Sequence, residues 1–344
     1  MTLNLRIAVR DWDYLTPLAL GDVTSPRITV TLDRVATLPA GPGPQSGYDA
    51  TEASFSRYLT GIEAHGQTSV GIANFLMRGF RHQCIIARKD SPLTEIEHLV
   101  GKRIGVTGWQ DSGNTWTRAI LRQSGIMTED AFWYAGRLTQ SHPVMDRLGR
   151  FGQPGLIEPA PGEAPLMQLL AEGGLDAVFT PFMPAGFFDR SSEFRLLLPD
   201  CVAAQKRYFD AVGYVPGIHL LTLDPEIAQR HPWVPDELSR LIDESRNVWT
   251  EKHRRYADTT PFTLTDLLSA ALAFPPDWDA SGFDANRRMI AGFATQMFDQ
   301  NLLEAPIRPE DIFPQQTGPQ QTGPEQTGAQ EPDPSKIHQT ERTP

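Results

Sequence analysis

Two stretches of the chain combine a titratable ring with an apolar setting: Phe80-Arg81-His82, which leads into Cys84-Ile85-Ile86, and Pro216-Gly217-Ile218-His219. Histidine changes charge near neutral pH, so His82 and His219 are the candidates for moving a proton. A histidine beside an apolar strand is just as well a core residue satisfied by a carbonyl, and that reading stays open. Arg81 offers the fork geometry that suits a carboxylate. Arg118 follows Asn114 by four residues, so a helix turns both to one side. Ser112 lies in the loop before them and can donate to an anion. Asp11 follows the first apolar run, and Glu52 follows Tyr48-Asp49-Ala50. Both are candidates for ligand hydroxyls, with a turn or cap role as the alternative. Trp109 and Trp116 could stack on a ring, although core packing is the usual fate of tryptophan.

Proton transfer and anion binding need elements that bring these residues together. Leu5–Val9 and Ile28–Leu32 read as strands, and 39–47 (Pro-Ala-Gly-Pro-Gly-Pro-Gln-Ser-Gly) as a loop. A helix is expected over Ala53–Ala64 and a buried strand over Phe80–Ala87. A strand at Lys102–Thr107 runs through a Gly/Ser loop into a helix from about Asn114. Such a corner presents free N–H groups and the positive end of a helix dipole to an anion. Further strands are expected at Leu175–Thr180, Phe194–Leu198 and 216–223. Helices are expected at Pro165–Glu172, Pro235–Arg255 and Asp284–Leu303. Strands alternating with helices imply an α/β fold with largely parallel sheets. The break near 88–101 and the return strand near 216–223 divide the chain discontinuously. Lobe one takes 1–100 and 216–314, and lobe two takes 101–215, with the ligand between them. Gln-Thr-Gly recurs at 316–318, 321–323 and 326–328, so 315–344 reads as a disordered low-complexity tail.

The chain has 344 residues and a formal charge of −11. That acidity argues against nucleic acid or an anionic membrane as partner. A small anionic partner would need a local cluster of Arg and His against this charge, and a homo-oligomer is compatible with the sequence. Cys84 and Cys201 form neither a disulfide framework nor a metal motif, and suit a reducing compartment. Met1-Thr-Leu-Asn-Leu runs straight into a strand without an export-type segment. No apolar run approaches a membrane span. The expected location is the cytosol.

In combination, several blocks resemble the 4,5-dihydroxyphthalate decarboxylase family. They are Phe80-Arg81-His82 with Cys84-Ile-Ile, and Gly101-Lys-Arg-Ile-Gly-Val106 with Asn114-Thr-Trp-Thr-Arg118. Asp176-Ala-Val-Phe-Thr-Pro181, Pro216-Gly-Ile-His219-Leu, Arg230-His-Pro-Trp233 and Asp284-Ala-Asn-Arg287 follow in order. The resemblance spans about residues 4–314. It implies a two-lobed type II periplasmic-binding-protein-like fold, shared with solute-binding proteins. Two departures stand out, both expected beside the cleft. The loop at 39–47 replaces a helix, and Thr16 stands before Pro17 where the family tends to place Arg.

The implied activity is loss of CO₂ from a hydroxylated aromatic dicarboxylic acid, 4,5-dihydroxyphthalate or a close analogue, giving protocatechuate. It requires a proton donor over the ring carbon, an acceptor at the phenol and cations on the carboxylates. His82 and His219 would serve the proton, and Arg81 and Arg118 the carboxylates. Asn114, Ser112, Asp11 and Glu52 would assist binding. No cofactor is required. A divalent ion on His82, His219 and a carboxylate is a lesser reading, because no His-x-x-x-His or Cys pair supports it. No Gly-x-Ser-x-Gly turn supports a nucleophilic triad. The alternatives are a solute-binding protein without chemistry and another lyase or hydrolase on the same scaffold.

Overall fold

The protein is described by a computed structural model covering residues 2–255 and 261–316. The chain opens with β1 (Leu3–Val9), α1 (Thr16–Leu20), β2 (Ile28–Arg34), β3 (Ala50–Ser54), α2 (Phe55–His65) and β4 (Val70–Arg78). It continues through β5 (Ile85–Arg88), β6 (Arg103–Val106), α3 (Ser112–Gln123), β7 (Phe132–Ala135) and β8 (Ile157–Pro159). Next come α4 (Leu166–Ala171), β9 (Ala177–Phe179), β10 (Phe194–Leu196), α5 (Cys201–Val212) and β11 (Gly217–Leu223). Five helices close the described chain: α6 (Pro225–Arg230), α7 (Val234–Arg255), α8 (Thr263–Ala273), α9 (Phe283–Asp299) and α10 (Pro309–Ile312).

Two sheets define two lobes. The first has the order β2-β1-β3-β11-β4, the second β10-β5-β9-β6-β7-β8. β1 runs parallel to β2 and β3, and β6 runs parallel to β7 and β9. β5 and β11 are inserted antiparallel to their neighbours. Each is the first strand laid down after the chain changes lobe. β5 therefore belongs to the second lobe, and the first crossing lies at 79–84 rather than at 100. Ile85, Ile86 and Ala87 are fully buried, so this short run needs cover on both faces.

The expected strand over Phe80–Ala87 is half right. Its first part is a turn, with one turn of 3-10 helix at His82–Cys84 and Cys84 N–H donating to Arg81 O at 2.9 Å. The expected start of the helix at Ala53 gives way to β3, and α2 begins at Phe55. The expected tail begins too early. Gln316 Oε1 accepts from Ala73 N at 2.8 Å, and Gly282 N donates to Ala73 O at 2.9 Å. These bonds cover the open edge of β4, which would otherwise present free backbone groups. The rest of that tail, 317–344, lies outside the described residues.

α3 joins the lobes. Every residue from Ser112 to Leu121 is buried, and the helix, which follows β6 of the second sheet, packs on α2, α9 and β11 of the first lobe. Trp116 donates its indole N–H to Gly217 O at 2.8 Å and meets Phe293 at 4.9 Å between ring centroids. Phe293 stacks on Phe55 at 4.5 Å. Phe293→Ala is expected to cost about 3–5 kcal/mol through lost burial and an unfilled cavity. Denaturant unfolding checks this, and a midpoint unchanged from wild type would refute the central place given to that ring.

Candidate active site

The C-terminal ends of β1, β3 and β4 and the start of β11 meet at one edge of the first sheet. Across from them stand the end of β6 and the N-terminus of α3. In such sheets ligands bind outside the carboxyl ends of the strands. Glu52 sits on β3 at this edge, fully buried. A carboxylate out of water must be hydrogen-bonded. Glu52 Oε2 accepts from Arg10 N at 2.8 Å and from the Trp12 indole at 2.9 Å. Glu52 Oε1 lies 2.5 Å from His219 Nδ1. A carboxylate accepts only, so Nδ1 carries the proton and the ring's other nitrogen, Nε2, is left for the cleft. His219 reaches this position because β11 pairs antiparallel with β3, placing His219 opposite Ser54 and beside Glu52. The Glu52 carboxylate, expected to meet a ligand hydroxyl, is thus bonded through both oxygens to Arg10, Trp12 and His219.

Arg81 is nearly as deeply buried, at 3% exposure, and its Nε and Nη2 have no partner among the described residues. Burial pushes its guanidinium below the usual arginine range, offset in part by Cys84 and Asp111. The group packs on the first turn of α3. A Cβ on Gly113 would come within 2.9 Å of Nη2, so only glycine admits the guanidinium there. Asp111, which precedes α3, makes no side-chain cap. An unpaired buried cation beside an uncapped helix N-terminus is an arrangement that suits an anion.

The other expected binding residues are placed differently. Arg118 is buried too, but its Nε donates to Gln300 Oε1 at 2.7 Å and its Nη2 to Trp109 O at 2.8 Å. Its guanidinium lies 4.0 Å over the Trp109 ring. Arg118 braces α3 against the end of α9, and desolvation lowers it to about 9. Asn114 donates to Gly108 O at 2.8 Å and holds the loop before α3 closed. Ser112 Oγ is spent on the first lobe, 2.8 Å from Ser54 Oγ and 2.9 Å from Ser56 N. Asp11 is exposed and pairs with Arg34 at 2.8 Å. Trp109 and Trp116 are core residues.

His82 and His219 do not form a pair. His82 is buried against Tyr208 and Phe80, at 5.5 and 6.4 Å between ring centroids, and its Nδ1 has no partner among the described residues. Desolvation, helped by the Arg207 charge, lowers its pKa to about 4. A ring lowered this far is neutral near pH 7, and its Nδ1 lacks the carboxylate partner that His219 has. Nor do His82, His219 and a carboxylate assemble a metal site. Among the described residues no group of three His, Cys, Asp or Glu side chains is so placed. The loop at 39–47 is not beside the cleft either. Gly43 N donates to Tyr48 O at 2.8 Å, at the opposite end of β3 and near Asp224.

Trp12 is the residue that sequence reasoning passed over. The short Asp11-Trp12-Asp13 run after β1 is the sequence feature that places this indole beside Glu52.

No protein-family model matches the chain. A 4,5-dihydroxyphthalate decarboxylase of Comamonas testosteroni is 26% identical over 327 residues, covering 90% of this chain and 96% of the relative. One from Pseudomonas putida is 28% identical over 222 residues, covering 62% of this chain and 83% of the relative. The chain resembles the 4,5-dihydroxyphthalate decarboxylases along nearly its whole length. Among solved structures, the periplasmic aliphatic sulphonate-binding protein SsuA from Escherichia coli superposes with a TM-score of 0.53 at 12% identity, covering 92% of this chain and 97% of that one. This likeness shows the fold: the two-lobed type II periplasmic-binding-protein-like architecture, as the decarboxylase-like motifs imply. No described helix is long and apolar enough to cross a membrane.

His82 has a consequence for stability. The folded chain protonates it at about 4, the unfolded chain near 6.5. Between those values the unfolded state binds more protons, so stability falls as the pH drops and is fully present above 6.5. The loss is on the order of 3 kcal/mol for a shift of this size. Chemical denaturation from pH 7 to 4 is expected to show it, and His82→Phe to flatten the slope. An equally steep slope in the variant would show that other groups carry it.

Proposed function

We propose that this chain is a decarboxylase of a hydroxylated aromatic dicarboxylic acid, 4,5-dihydroxyphthalate or a close analogue, working in the cytosol. The similarity to two decarboxylases supports its being a carboxy-lyase. The observation that carries the reading is the His219–Glu52 pair at the cleft edge. An anion-binding protein needs arginine, hydroxyls and backbone N–H groups; it has no use for a buried carboxylate that fixes the tautomer of an imidazole.

In this reading Arg81 and the first turn of α3 hold one substrate carboxylate, which fixes the ring in the cleft. The hydroxyl para to the departing carboxylate feeds electrons into the ring. His219 delivers a proton from Nε2 to the ring carbon that bears that carboxylate, while the buried Glu52 supplies the countercharge to the doubly protonated imidazole. The ring-to-carboxylate bond then breaks, its electron pair restores aromaticity, and CO₂ departs. A proton from solvent reloads His219. One proton is consumed and one CO₂ released per turnover, with no oxidation or reduction.

The test follows loss of 4,5-dihydroxyphthalate and appearance of protocatechuate. His219→Asn is expected to lower kcat by about 10²-fold or more, the usual size of a general-acid contribution. Arg81→Met is expected to weaken substrate binding by about tenfold or more, the worth of a charged hydrogen bond. Thermal stabilisation by this acid without turnover would favour the solute-binding reading over chemistry.

A further inference from the structure

We infer that the Trp12 indole is a positioning residue for proton transfer: it locks the Glu52 carboxylate in the one rotation that presents Oε1 to His219. The inference rests on the proposed role of His219. Glu52 has two oxygens with different tasks. Oε2 is occupied by two N–H donors, Arg10 N at 2.8 Å and Trp12 Nε1 at 2.9 Å. Oε1 is left to His219 Nδ1 at 2.5 Å. The backbone donor at Arg10 is fixed by β1, but a single N–H leaves a carboxylate free to swing about that bond. The second donor, arriving on a rigid ring, removes that freedom. The ring itself is half-buried and packs against the apolar core of the first lobe. The next residues of the chain are anchored separately. Tyr14 donates to Leu76 O at 2.5 Å, and Ser245 donates to Tyr14 O at 2.7 Å.

Trp12 does not touch the reacting atoms in this scheme. It acts through Glu52, so its removal should change the state of His219 before it changes binding. In Trp12→Phe the ring shape is kept and one N–H is lost. Glu52 can then turn, and His219 can exchange its Nδ1-protonated tautomer for the other.

Nitrogen NMR of the full chain, with the His219 ring assigned by its absence in His219→Asn, reads the tautomer directly. The wild type is expected to show one tautomer, protonated on Nδ1, with that proton far downfield. Trp12→Phe is expected to mix the tautomers and lose the downfield proton. With 4,5-dihydroxyphthalate, kcat should fall on the order of tenfold or more, as for displaced catalytic groups generally, while KM changes less than about twofold. Tyr14→Phe, which loses a neighbouring bond to Leu76 but none to Glu52, should leave the tautomer unchanged. An unaltered His219 tautomer and kcat in Trp12→Phe would overturn the inference. The imidazole reading needs no turnover, so failure of the decarboxylation assay would strike the proposed reaction and not this one. A second measurement needs no variant. In the wild-type chain the Trp12 indole N–H signal should move as His219 takes up a proton, and an indole that ignores it would equally overturn the inference.

Discussion

A carboxylate sealed from water sets the terms for the first lobe. The cost of burying the Glu52 charge is several kcal/mol unless its lone pairs are filled. They are filled from three places: the end of β1, the turn after it, and β11, which returns from the other lobe. A strand slipped by one residue would turn Glu52 to the other face and leave the charge unmatched. The same charge therefore specifies the register of β3 and β11 and the path of residues 10–12. It also fixes the return of the chain from the second lobe, because β11 carries His219 onto Glu52.

The second lobe poses the opposite problem with cations. Two arginines are buried around α3, and burial lowers both. Arg118 is answered by a carbonyl, a side-chain amide and the face of an indole, with its Nη1 alone unpaired among the described residues. Arg81 is left with two N–H donors unmet. A folded protein tolerates such a deficit where a ligand supplies the missing partner. The difference between a brace and a binding group lies in the neighbours, and residue type alone does not announce it. Gly113 completes the contrast, since any side chain at that position would press on the Arg81 guanidinium.

That contrast explains what was legible in the sequence. Glycine and proline punctuation, β-branched runs and amphipathic spacing gave the strands β1, β2, β5, β6, β9, β10 and β11 and the helices α2, α3, α4, α7 and α9. β4 escaped because Val70–Met77 is apolar nearly throughout and offers no alternation, being covered on both faces and along its edge. The turn at Phe80–Cys84 was hidden inside an apolar run that continues into β5. Arg81, His219 and Glu52 were visible as candidates because charge in an apolar setting is rare. Their roles were less visible, for pairing across strands depends on register. Glu52 and His219 are 167 residues apart and meet through one antiparallel pairing. The different surroundings of His82 and His219 were hidden for the same reason, since those of His82 come from α5, far along the chain.

The two histidines show how a binding scaffold can be given chemistry. A two-lobed anion receptor already supplies a cation, a helix N-terminus and a cleft. What it lacks is a group that holds a proton and releases it to carbon. A buried histidine without a carboxylate partner is pushed toward the neutral form, as burial and the Arg207 charge push His82. The ring at 219 differs in having a carboxylate behind it, itself held by donors on its far oxygen. Under the proposed reaction, the step from binding to turnover is made by this backing and not by the imidazole as such. It follows that the residues separating an enzyme from a receptor on this fold are to be sought one shell behind the cleft, at Glu52 and Trp12, rather than among the groups that touch the ligand.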